Sequence, residues 1–193
     1  MSEVKTLNVA SQLCGMPVIV PDTSERIGNV SDVIVHPTEG GMLGIVLKTM
    51  KGEEHAIAAE DCFIFSDVRA VLAAEPALFD LGGIRDAMPG GVRVCRELIG
   101  ANVVTEMGEL LGDVRDVHVI EEPAQTIYRI TASALQRFFG GGFFLAGNVP
   151  RFFWRASARM IVPIETKTHL AAPTLDQAIR LRREVAAAGG GLR

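Results

Sequence analysis

The sequence is poor in cysteine, in positive charge and in long apolar runs, and each shortage excludes a class of protein. Its three cysteines, Cys14, Cys62 and Cys95, stand far apart and are odd in number, which fits reduced thiols better than a disulfide framework. The net charge of −4 argues against a protein that is basic overall and binds nucleic acid. The run FFGGGFFLAGNV, about twelve residues, is too short for a membrane-spanning helix, which needs about twenty.

The amino-terminal stretch MSEVKTLNVASQLCG lacks a positive cluster followed by an apolar run of signal-peptide length. We therefore expect a cytoplasmic protein, with the inner face of the membrane as the alternative location if the aromatic segment described below binds lipid. At 193 residues, with 48% hydrophobic and 22% charged residues, the chain has the composition of a globular protein and the length of one large or two small domains.

The chain repeats one of its segments. LCGMPVIVPDTSERIGNVSDVIV, which starts at Leu13, aligns with LIGANVVTEMGELLGDVRDVHVI, which starts at Leu98, if a gap of one residue is allowed. Both copies consist of short runs rich in β-branched residues, separated by turn residues, a pattern that is typical of strands. The sequence therefore predicts a duplicated, all-β unit.

Turn residues such as HPTEGG delimit the strands of the first copy. Its four predicted strands are Met16–Val20, Ile27–Val35, Met42–Thr49 and His55–Cys62. In the second copy, TIYRITAS matches the third of these strands and ARMIVPIE matches the fourth. The segment Ala134–Arg159, called the aromatic insert below, is then an excursion between two strands, at a place where the first copy has only MKGEE.

Six residues recur at equivalent positions of the two copies, and we assign structural roles to them. They are Gly15, Gly28 and Asp32 in the first copy, and Gly100, Gly112 and Asp116 in the second. Gly28 and Gly112 start the second strand, where a small barrel needs a sharp bend or bulge that a side chain would obstruct. The aspartates admit two interpretations: catalytic or metal-binding carboxylates, or acceptors of main-chain hydrogen bonds at a corner of each barrel. Their recurrence once per copy favours the second.

Two helices are predicted outside the strands. SDVRAVLAAE, at Ser66–Glu75, follows the first copy, and TLDQAIRLRREVAAAGGG near the carboxyl terminus opens with the capping box Thr174 and Gln177. PALFDLGGIRDAMPGG, between the two copies, is typical of a linker. The predicted domains are 1–75, a first barrel with its trailing helix; 76–92, the linker; and 93–193, a second barrel with the aromatic insert and a carboxyl-terminal helix.

The phrase GMPVIVPDTSERIGNVSDVIVHPTEGGMLGIVL, with GANVVTEMGELLGDVRDVHVI as its second occurrence, resembles the PRC-barrel family, named after the H subunit of the photosynthetic reaction centre. The resemblance covers Leu13–Phe65 and Leu98–Glu165. It implies a mainly β fold of two small PRC-type β-barrels in tandem, here with a linker helix and a carboxyl-terminal helix. It also implies a module that binds other macromolecules, because the family has no shared catalytic residues. Its members include the carboxyl-terminal domain of a ribosome maturation factor.

No pattern of residues in the sequence indicates a reaction. The four histidines lie in or beside different predicted strands, without metal-ligand spacing or a neighbouring cysteine pair. The glycine-rich stretches GGIRDAMPGG and FFGGGFF lack the Gly-Lys-Ser/Thr ending of a phosphate-binding loop. We therefore expect no catalytic residue, no metal and no cofactor, and a protein that is not an enzyme.

The aromatic insert concentrates rings and positive charge. It holds six phenylalanines and the only tryptophan, and no aspartate or glutamate occurs between Glu122 and Glu165. At roughly 150 Å² a ring, seven exposed rings would present about 1,000 Å² of apolar surface, more than a soluble monomer usually exposes. We predict an interaction surface made of Arg137, Phe138, Phe139, Phe143, Phe144, Arg151, Phe152, Phe153, Trp154 and Arg155.

Several kinds of contact could cover the insert. Our first expectation is self-packing, chiefly as a homo-oligomer, or a protein partner, so that the chain is an adaptor or assembly module. The alternatives are a membrane surface, with arginines facing anionic lipid, an RNA that stacks its bases on the rings, and a small apolar ligand beneath the insert. We do not expect nucleic acid, because the insert lacks lysine and no basic stripe extends onto the barrels.

Overall fold

Short β-strands make up most of the chain, and they form two sheets. The computed structural model describes residues 6–65, 69–73, 78–87, 91–120, 125–132 and 141–189. Over these residues the chain has fifteen strands and four α-helices. The prediction of a mainly β fold with a helix near the carboxyl end is confirmed, and the segment predicted as a linker contains a helix, Leu81–Ala87, that was not predicted.

The first sheet comes from the amino-terminal half of the chain. In chain order, the elements of this half are β1 (Thr6–Val9), α1 (Ala10–Leu13), β2 (Pro17–Val20), β3 (Glu25–Val35), β4 (Met42–Thr49), β5 (Glu54–Ala58), β6 (Cys62–Phe65), β7 (Ala70–Ala73), α2 (Leu81–Ala87) and β8 (Arg93–Val94). The sheet order is β5-β4-β3-β2-β7-β6, and β8 also pairs with β3. Neighbouring strands are antiparallel except β2 and β7, which are parallel.

The second sheet comes mainly from the carboxyl-terminal half. The elements of this half are α3 (Cys95–Leu98), β9 (Asn102–Thr105), β10 (Leu110–Ile120), β11 (Gln125–Ala132), β12 (Phe143–Ala146), β13 (Phe152–Trp154), β14 (Arg159–Val162), β15 (Ala171–Ala172) and α4 (Leu175–Gly189). The sheet order is β13-β14-β9-β10-β11-β12-β15, and β1 pairs with the end of β10. Here the parallel pair is β14 with β9.

The two sheets have the same strand order. In the first, β2 to β5 form a meander, β7 returns parallel to β2, and β6 lies outside β7. In the second, β9 to β12 form the meander, β14 returns parallel to β9, and β13 lies outside β14. The repeat seen in the sequence therefore extends beyond the aligned residues to the whole strand order.

The chain divides into two compact units, each with its own core. Unit 1 contains residues 1–36, 41–96 and 118–125, and unit 2 contains residues 37–40, 97–117 and 126–193. The fully buried side chains of unit 1 include Val18, Val33, Ile45, Leu47 and Ile57, and those of unit 2 include Leu98, Val103, Ile127, Leu145 and Met160. Burial of one such side chain contributes about 1.5–3 kcal/mol, so each core stabilises its own unit.

The two recurring glycines at the start of the long strands lie at irregularities of strand register. The pairing of β2 with β3 shifts next to Gly28, and the pairing of β9 with β10 shifts next to Gly112. A Cβ atom at Gly28 would collide with the carbonyl oxygen of Lys48, and one at Gly112 with the carbonyl oxygen of Thr131. A bulged strand that approaches its neighbour this closely can carry only glycine at the contact.

One predicted helix is wrong. The sequence favoured a helix over Ser66–Glu75, whereas the structure places the strand β7 at Ala70–Ala73. Val71 is fully buried and lies opposite Val18 in the parallel pairing with β2. The strong helix propensity of alanine is outweighed here because the segment gains a sheet neighbour on each side, β2 and β6.

The assignment of the aromatic insert as a single excursion is also wrong. ARMIVPIE contains β14, which is the counterpart of β7 rather than of HAIAAEDC, because both β14 and β7 run parallel to the first strand of their meander. The counterpart of β5 is β12, which lies inside the insert. The insert therefore contributes two ordinary strands, β12 and β13. The extra length of the second copy falls between β11 and β12, at residues 133–142, against residues 50–53 in the first.

The predicted carboxyl-terminal helix is confirmed as α4. The hydroxyl oxygen of Thr174 accepts a hydrogen bond from the Gln177 N–H at 3.3 Å, which caps the first turn. The buried side chains of Ala178 and Ile179 face the sheet, where the helix packs on β12 and β15.

Candidate interaction surface

The end strand β13 presents two aromatic rings to solvent. Successive side chains of a strand point to opposite faces: Phe153 is buried, whereas 54% of Phe152 and 59% of Trp154 remain exposed. The two exposed rings meet edge to face, with their centroids 6.2 Å apart. Because β13 is the last strand of the sheet order, these rings lie at an edge of the sheet.

An apolar row runs from Phe152 across four strands on the same face of the sheet. Phe152 pairs with Ile161 of β14, Ile161 with Val104 of β9, and Val104 with Leu110 of β10. Side chains that are paired in this way stand next to each other on one face. Phe152 and Leu110 are exposed, and Ile161 and Val104 are half-buried. These four residues are called the unit 2 row below.

A second, polar row lies beside the unit 2 row. It runs from Trp154 through Arg159 and Asn102 to Asp113, again by direct strand pairing. Trp154 and Arg159 are exposed, and Asn102 and Asp113 are half-buried. The surface therefore combines an apolar strip with a neighbouring strip that carries both a positive and a negative charge.

Two further arginines flank β13, and both are ion-paired within unit 2. Arg151 lies 3.7 Å from a carboxylate oxygen of Glu106, and Arg155 lies 3.3 Å from one of Glu97. Both guanidinium groups are largely exposed, so each pair contributes about 0–1 kcal/mol to stability. Such weakly held arginines can exchange their carboxylate partner for one on another molecule.

The residues predicted for the interaction surface do not all lie together. Arg151, Phe152, Trp154 and Arg155 lie on or beside β13, and Phe153, between them, faces the core. Phe143 and Phe144 are half-buried on β12, which the sheet order separates from β13 by four strands. Arg137, Phe138 and Phe139 lie outside the described residues. Among the described residues, the predicted surface is thus reduced to the four exposed residues on or beside β13. These residues, Arg151, Phe152, Trp154 and Arg155, are called the β13 edge below.

Unit 1 carries an equivalent row that the sequence analysis missed. Phe63 of β6, 58% exposed, pairs with Leu72 of β7, which pairs with Ile19 of β2. Ile19 in turn pairs with Arg26 of β3. Phe63, Leu72 and Ile19 are called the unit 1 row below. The short apolar run CFIF was a signal for this strand, but the predicted helix at Ser66–Glu75 concealed the strand next to it.

Asp32 is buried and takes part in several hydrogen bonds. One carboxylate oxygen accepts the Val33 N–H at 2.8 Å, and the other lies 3.4 Å from both the main-chain nitrogen and the Nε of Arg96. Burial raises the pKa of Asp32, and the hydrogen bonds and the Arg96 charge oppose that rise. The carboxylate of Asp116 likewise accepts the N–H of Val117 at 2.8 Å. Both aspartates bind main-chain groups at corresponding places.

The thiols and other ligating groups do not assemble into a reactive centre in the described part of the chain. Burial raises the pKa of Cys62 to about 12, and the nearby Asp61 charge adds to the effect. Cys14 is exposed and Cys95 is buried. No group of three or more His, Cys, Asp or Glu side chains that could hold a metal ion occurs among the described residues.

A groove of about 240 Å³ lies along α4 and is open to solvent. It is lined by Ala171, Ala172, Pro173, Gln177, Arg180 and Leu181. Its volume is below the roughly 300–1,000 Å³ of typical small-molecule pockets. Its lining includes no residue of β13, so it is separate from the aromatic edge.

The family model of the PRC-barrel domain matches residues 7–69. Residues 7–69 are a PRC-barrel domain. This PRC-barrel domain extends from β1 through β6 and contains Gly28, Asp32 and Phe63. The match does not include the second copy, whose likeness to the PRC-barrel domain rests on the repeated sequence and the repeated strand order.

No curated protein matches the sequence. Among solved structures, the chain is similar to a 16S ribosomal RNA processing protein, RimM, from Pseudomonas aeruginosa, with 16% identity over 72% of this chain and 99% of that chain, and a TM-score of 0.30. A TM-score this low carries no argument about fold or function. Among the described residues, no helix has the length and apolarity needed to cross a membrane.

Proposed function

We propose that the chain is a non-enzymatic assembly module of two PRC-type barrels, which binds a protein surface, a second copy of itself included, through the β13 edge. The observation that carries this proposal is the exposure of Phe152 and Trp154 side by side at the end of a sheet. The repeated strand order supports the assignment of unit 2 as a second barrel of the same type.

Burial of the Phe152 and Trp154 rings in an interface would contribute favourably to the free energy of association. Aromatic side chains present roughly 150–250 Å² each, so the exposed parts of Phe152 and Trp154 amount to on the order of 200 Å². At about 25 cal/mol per Å² this area contributes about 5 kcal/mol. Association costs about 4–15 kcal/mol in lost freedom, so the rest of the unit 2 row has to be covered as well.

The charges beside the rings favour a protein partner over an anionic membrane. Arg151 and Arg155 are paired with Glu106 and Glu97, and Asp113 lies in the polar row. An anionic bilayer or an RNA backbone would be attracted by the arginines but repelled by these carboxylates. A protein surface can meet both signs of charge.

The test compares the parent chain with a Phe152→Ser/Trp154→Ser double variant. Both side chains are exposed, so the variant should keep its fold. Met50→Ser is the matched control, because Met50 is 73% exposed in a turn of unit 1. Sedimentation velocity over a range of concentrations should show an oligomer for the parent and the control, and a monomer for the double variant. Thermal melting checks folding.

Two further measurements separate the alternatives. In the parent and the control, emission from Trp154, the only tryptophan, should move to shorter wavelength as concentration rises, because association buries the ring. A parent that stays monomeric and co-sediments with anionic vesicles would overturn the proposal in favour of a membrane surface. Salt-sensitive retention of RNA by a monomeric parent would overturn it in favour of nucleic acid.

A further inference from the structure

We infer that two copies of the chain form a symmetric dimer in which the outer faces of their unit 2 sheets pack on each other. Arg159 and Asp113 of one copy then meet Asp113 and Arg159 of the other. This inference rests on the proposed function, since it names the surface that covers Phe152 and Trp154. The contact is made by side chains on the face of the sheet, so the main chain at the sheet edge takes no part in it.

The outer face of the unit 2 sheet carries the unit 2 row and the polar row, with one residue of each row on β13, β14, β9 and β10. Buried residues alternate with these positions along the strands, so both rows point away from the core. Two more apolar side chains are exposed nearby: Met107 follows β9, and Ile164 follows β14. Because β9 and β14 are parallel, both residues lie at the same end of the sheet and enlarge its apolar surface.

The polar row contains two opposite charges that have no partner within the described part of the chain. Arg159 lies on β14 and Asp113 on β10. Neither side chain takes part in an ion pair or hydrogen bond with another described residue, whereas Arg151 and Arg155 each have a carboxylate partner. A surface that carries one unpaired charge of each sign can pair with a second copy of itself.

The order of the strands allows the apolar rows of two copies to cover each other. Two sheets that pack face to face commonly align their strands to within about 30°. With a twofold axis along the strands, β13 of one copy faces β10 of the other, and β14 faces β9. Phe152 then lies opposite Leu110 of the second copy, and Ile161 lies opposite Val104. Each apolar row is thus covered by an apolar row.

The polar rows meet in the same arrangement. Trp154 lies opposite Asp113 of the second copy, and Arg159 lies opposite Asn102. Asp113 of the second copy is therefore one strand to the side of Arg159, about 4.8 Å in the plane of the sheet, which a long arginine side chain can reach. The indole N–H of Trp154 can donate a hydrogen bond to the same carboxylate. Twofold symmetry forms each of these contacts twice.

The other aligned arrangement, with the twofold axis across the strands, is less favourable. Each strand then faces its own copy. If the polar rows meet, Arg159 lies opposite Arg159 and Asp113 opposite Asp113, and like charges this close cost free energy. If the apolar rows meet, the polar rows lie on opposite sides of the contact and their charges stay unpaired. The charges therefore favour the axis along the strands.

The equivalent face of unit 1 does not have this self-complementarity. The strand registers equate Arg26 with Leu110, and Asn29 with Asp113. The unit 1 row is therefore followed by a positive charge in place of an apolar side chain, and the guanidinium of Arg26 bonds the Asn29 side chain at 3.1 Å. An uncharged amide stands where unit 2 has its carboxylate. We thus expect the dimer to form through unit 2.

The expected dimer is small in interface and dissociates on dilution. The two rows contribute eight side chains from each copy, against about 20–30 residues a side in a standard interface. The mass in solution should therefore rise with concentration from that of one 20.7 kDa chain to that of two, and then stop, because a twofold contact uses the same face of both copies.

The deciding experiment exchanges the two charges. Arg159→Asp and Asp113→Arg should each weaken the dimer by about tenfold or more, because each brings like charges together at both symmetric contacts. An equimolar mixture of the two variants should recover the parent affinity. In the mixed dimer, one contact is the native pair and the other is the same pair with its charges exchanged. A chain that carries both changes should also dimerise as the parent does. Sedimentation velocity over a range of concentrations measures all four cases.

Two control variants leave the proposed contact intact. Arg180→Asp makes the same change in net charge as Arg159→Asp, but on the exposed side of α4. Phe63→Ser removes the exposed ring of the unit 1 row. Both should dimerise like the parent. Thermal melting of every variant checks folding, and recovery in the mixture shows directly that the two charge variants are folded.

The outcomes separate the inference from the proposed function. If the Phe152→Ser/Trp154→Ser variant is monomeric but both charge variants assemble like the parent, the β13 edge binds in another arrangement; the proposed function then stands and the inference is overturned. The inference also falls if both charge variants are monomeric and their mixture does not combine, or if Phe63→Ser abolishes the dimer. If none of these changes alters the mass of the assembly, the proposed function and the inference fall together.

Discussion

The hydroxyl of Tyr128 donates a hydrogen bond to the main-chain carbonyl of Pro37 at 3.0 Å, although the two residues are 91 positions apart. Tyr128 is fully buried. Pro37 belongs to the turn between β3 and β4, yet residues 37–40 are part of unit 2. The carbonyl of Gly40 in the same turn accepts the Thr126 N–H at 2.9 Å. The turn is therefore a structural component of unit 2.

Tyr128→Phe is expected to destabilise the protein by about 1–3 kcal/mol, because it leaves the buried Pro37 carbonyl without the hydroxyl donor while keeping the ring. Urea denaturation followed by the fluorescence of Trp154 measures the change. A loss below about 0.5 kcal/mol would mean that the bond makes no net contribution to stability.

Gly28→Ala and Gly112→Ala should each cost about 2–3 kcal/mol, because the new methyl group collides with the carbonyl oxygen of Lys48 or Thr131, which the sheet holds in place. Gly41→Ala is the matched control, since no atom lies within 4 Å of a Cβ built there. Thermal or chemical denaturation of the three variants provides the comparison. Equal losses at all three positions would contradict the close approach of the strands.

Asp32→Asn should change how stability depends on pH. Burial raises the pKa of Asp32 in the folded state, so as pH rises from below 3.8 the unfolded chain loses this proton first. The stability of the parent relative to Asp32→Asn should therefore be greatest in acid and fall as pH rises through the folded-state pKa. Denaturation of both proteins at several pH values gives the difference between their free energies of unfolding. The other carboxyl groups are the same in both proteins, so their contributions cancel in this difference. A difference that rises with pH would contradict the direction of the shift.

The thiol of Cys62 should react slowly with alkylating reagents. With a pKa of about 12, only about one Cys62 thiol in ten thousand is ionised at pH 8, and the thiolate is the reactive form. The exposed Cys14 should be labelled first, and in a Cys14→Ser variant the rate at Cys62 should rise about tenfold per pH unit between pH 8 and 10. Mass spectrometry after timed quenching measures both rates, and rapid labelling of Cys62 at pH 7 would contradict its burial.

Local patterns predicted much of the fold. Met42–Thr49 is the strand β4 with the predicted bounds, because its β-branched residues lie between clear turn signals. Thr174 caps α4 as the capping pattern indicated. The helix predicted over Ala70–Ala73 was wrong. The composition of this segment favours a helix, but pairing with β2 and β6 makes it a strand, and β2 is distant in the sequence.

The candidate surface could be predicted only in part. Paired phenylalanines fit neither the helical nor the strand period cleanly, so the sequence did not show that Phe153 turns inward while Phe152 and Trp154 remain exposed. Phe63 carried little weight in the sequence because it stands in a run of only four apolar residues, next to the segment predicted as a helix. Its importance appears only when the strand order places it where Phe152 lies in the second sheet.

By itself, the amino-acid sequence determined the duplication, the mainly β character and the glycines at which the long strands bulge, because these depend on residue type and short-range spacing. The tertiary structure alone decided which strands end each sheet, which aromatic rings face solvent and which unit takes the turn that contains Pro37. Those outcomes depend on pairings between residues far apart in the chain, and the free energy of such a pairing is a property of both partners together.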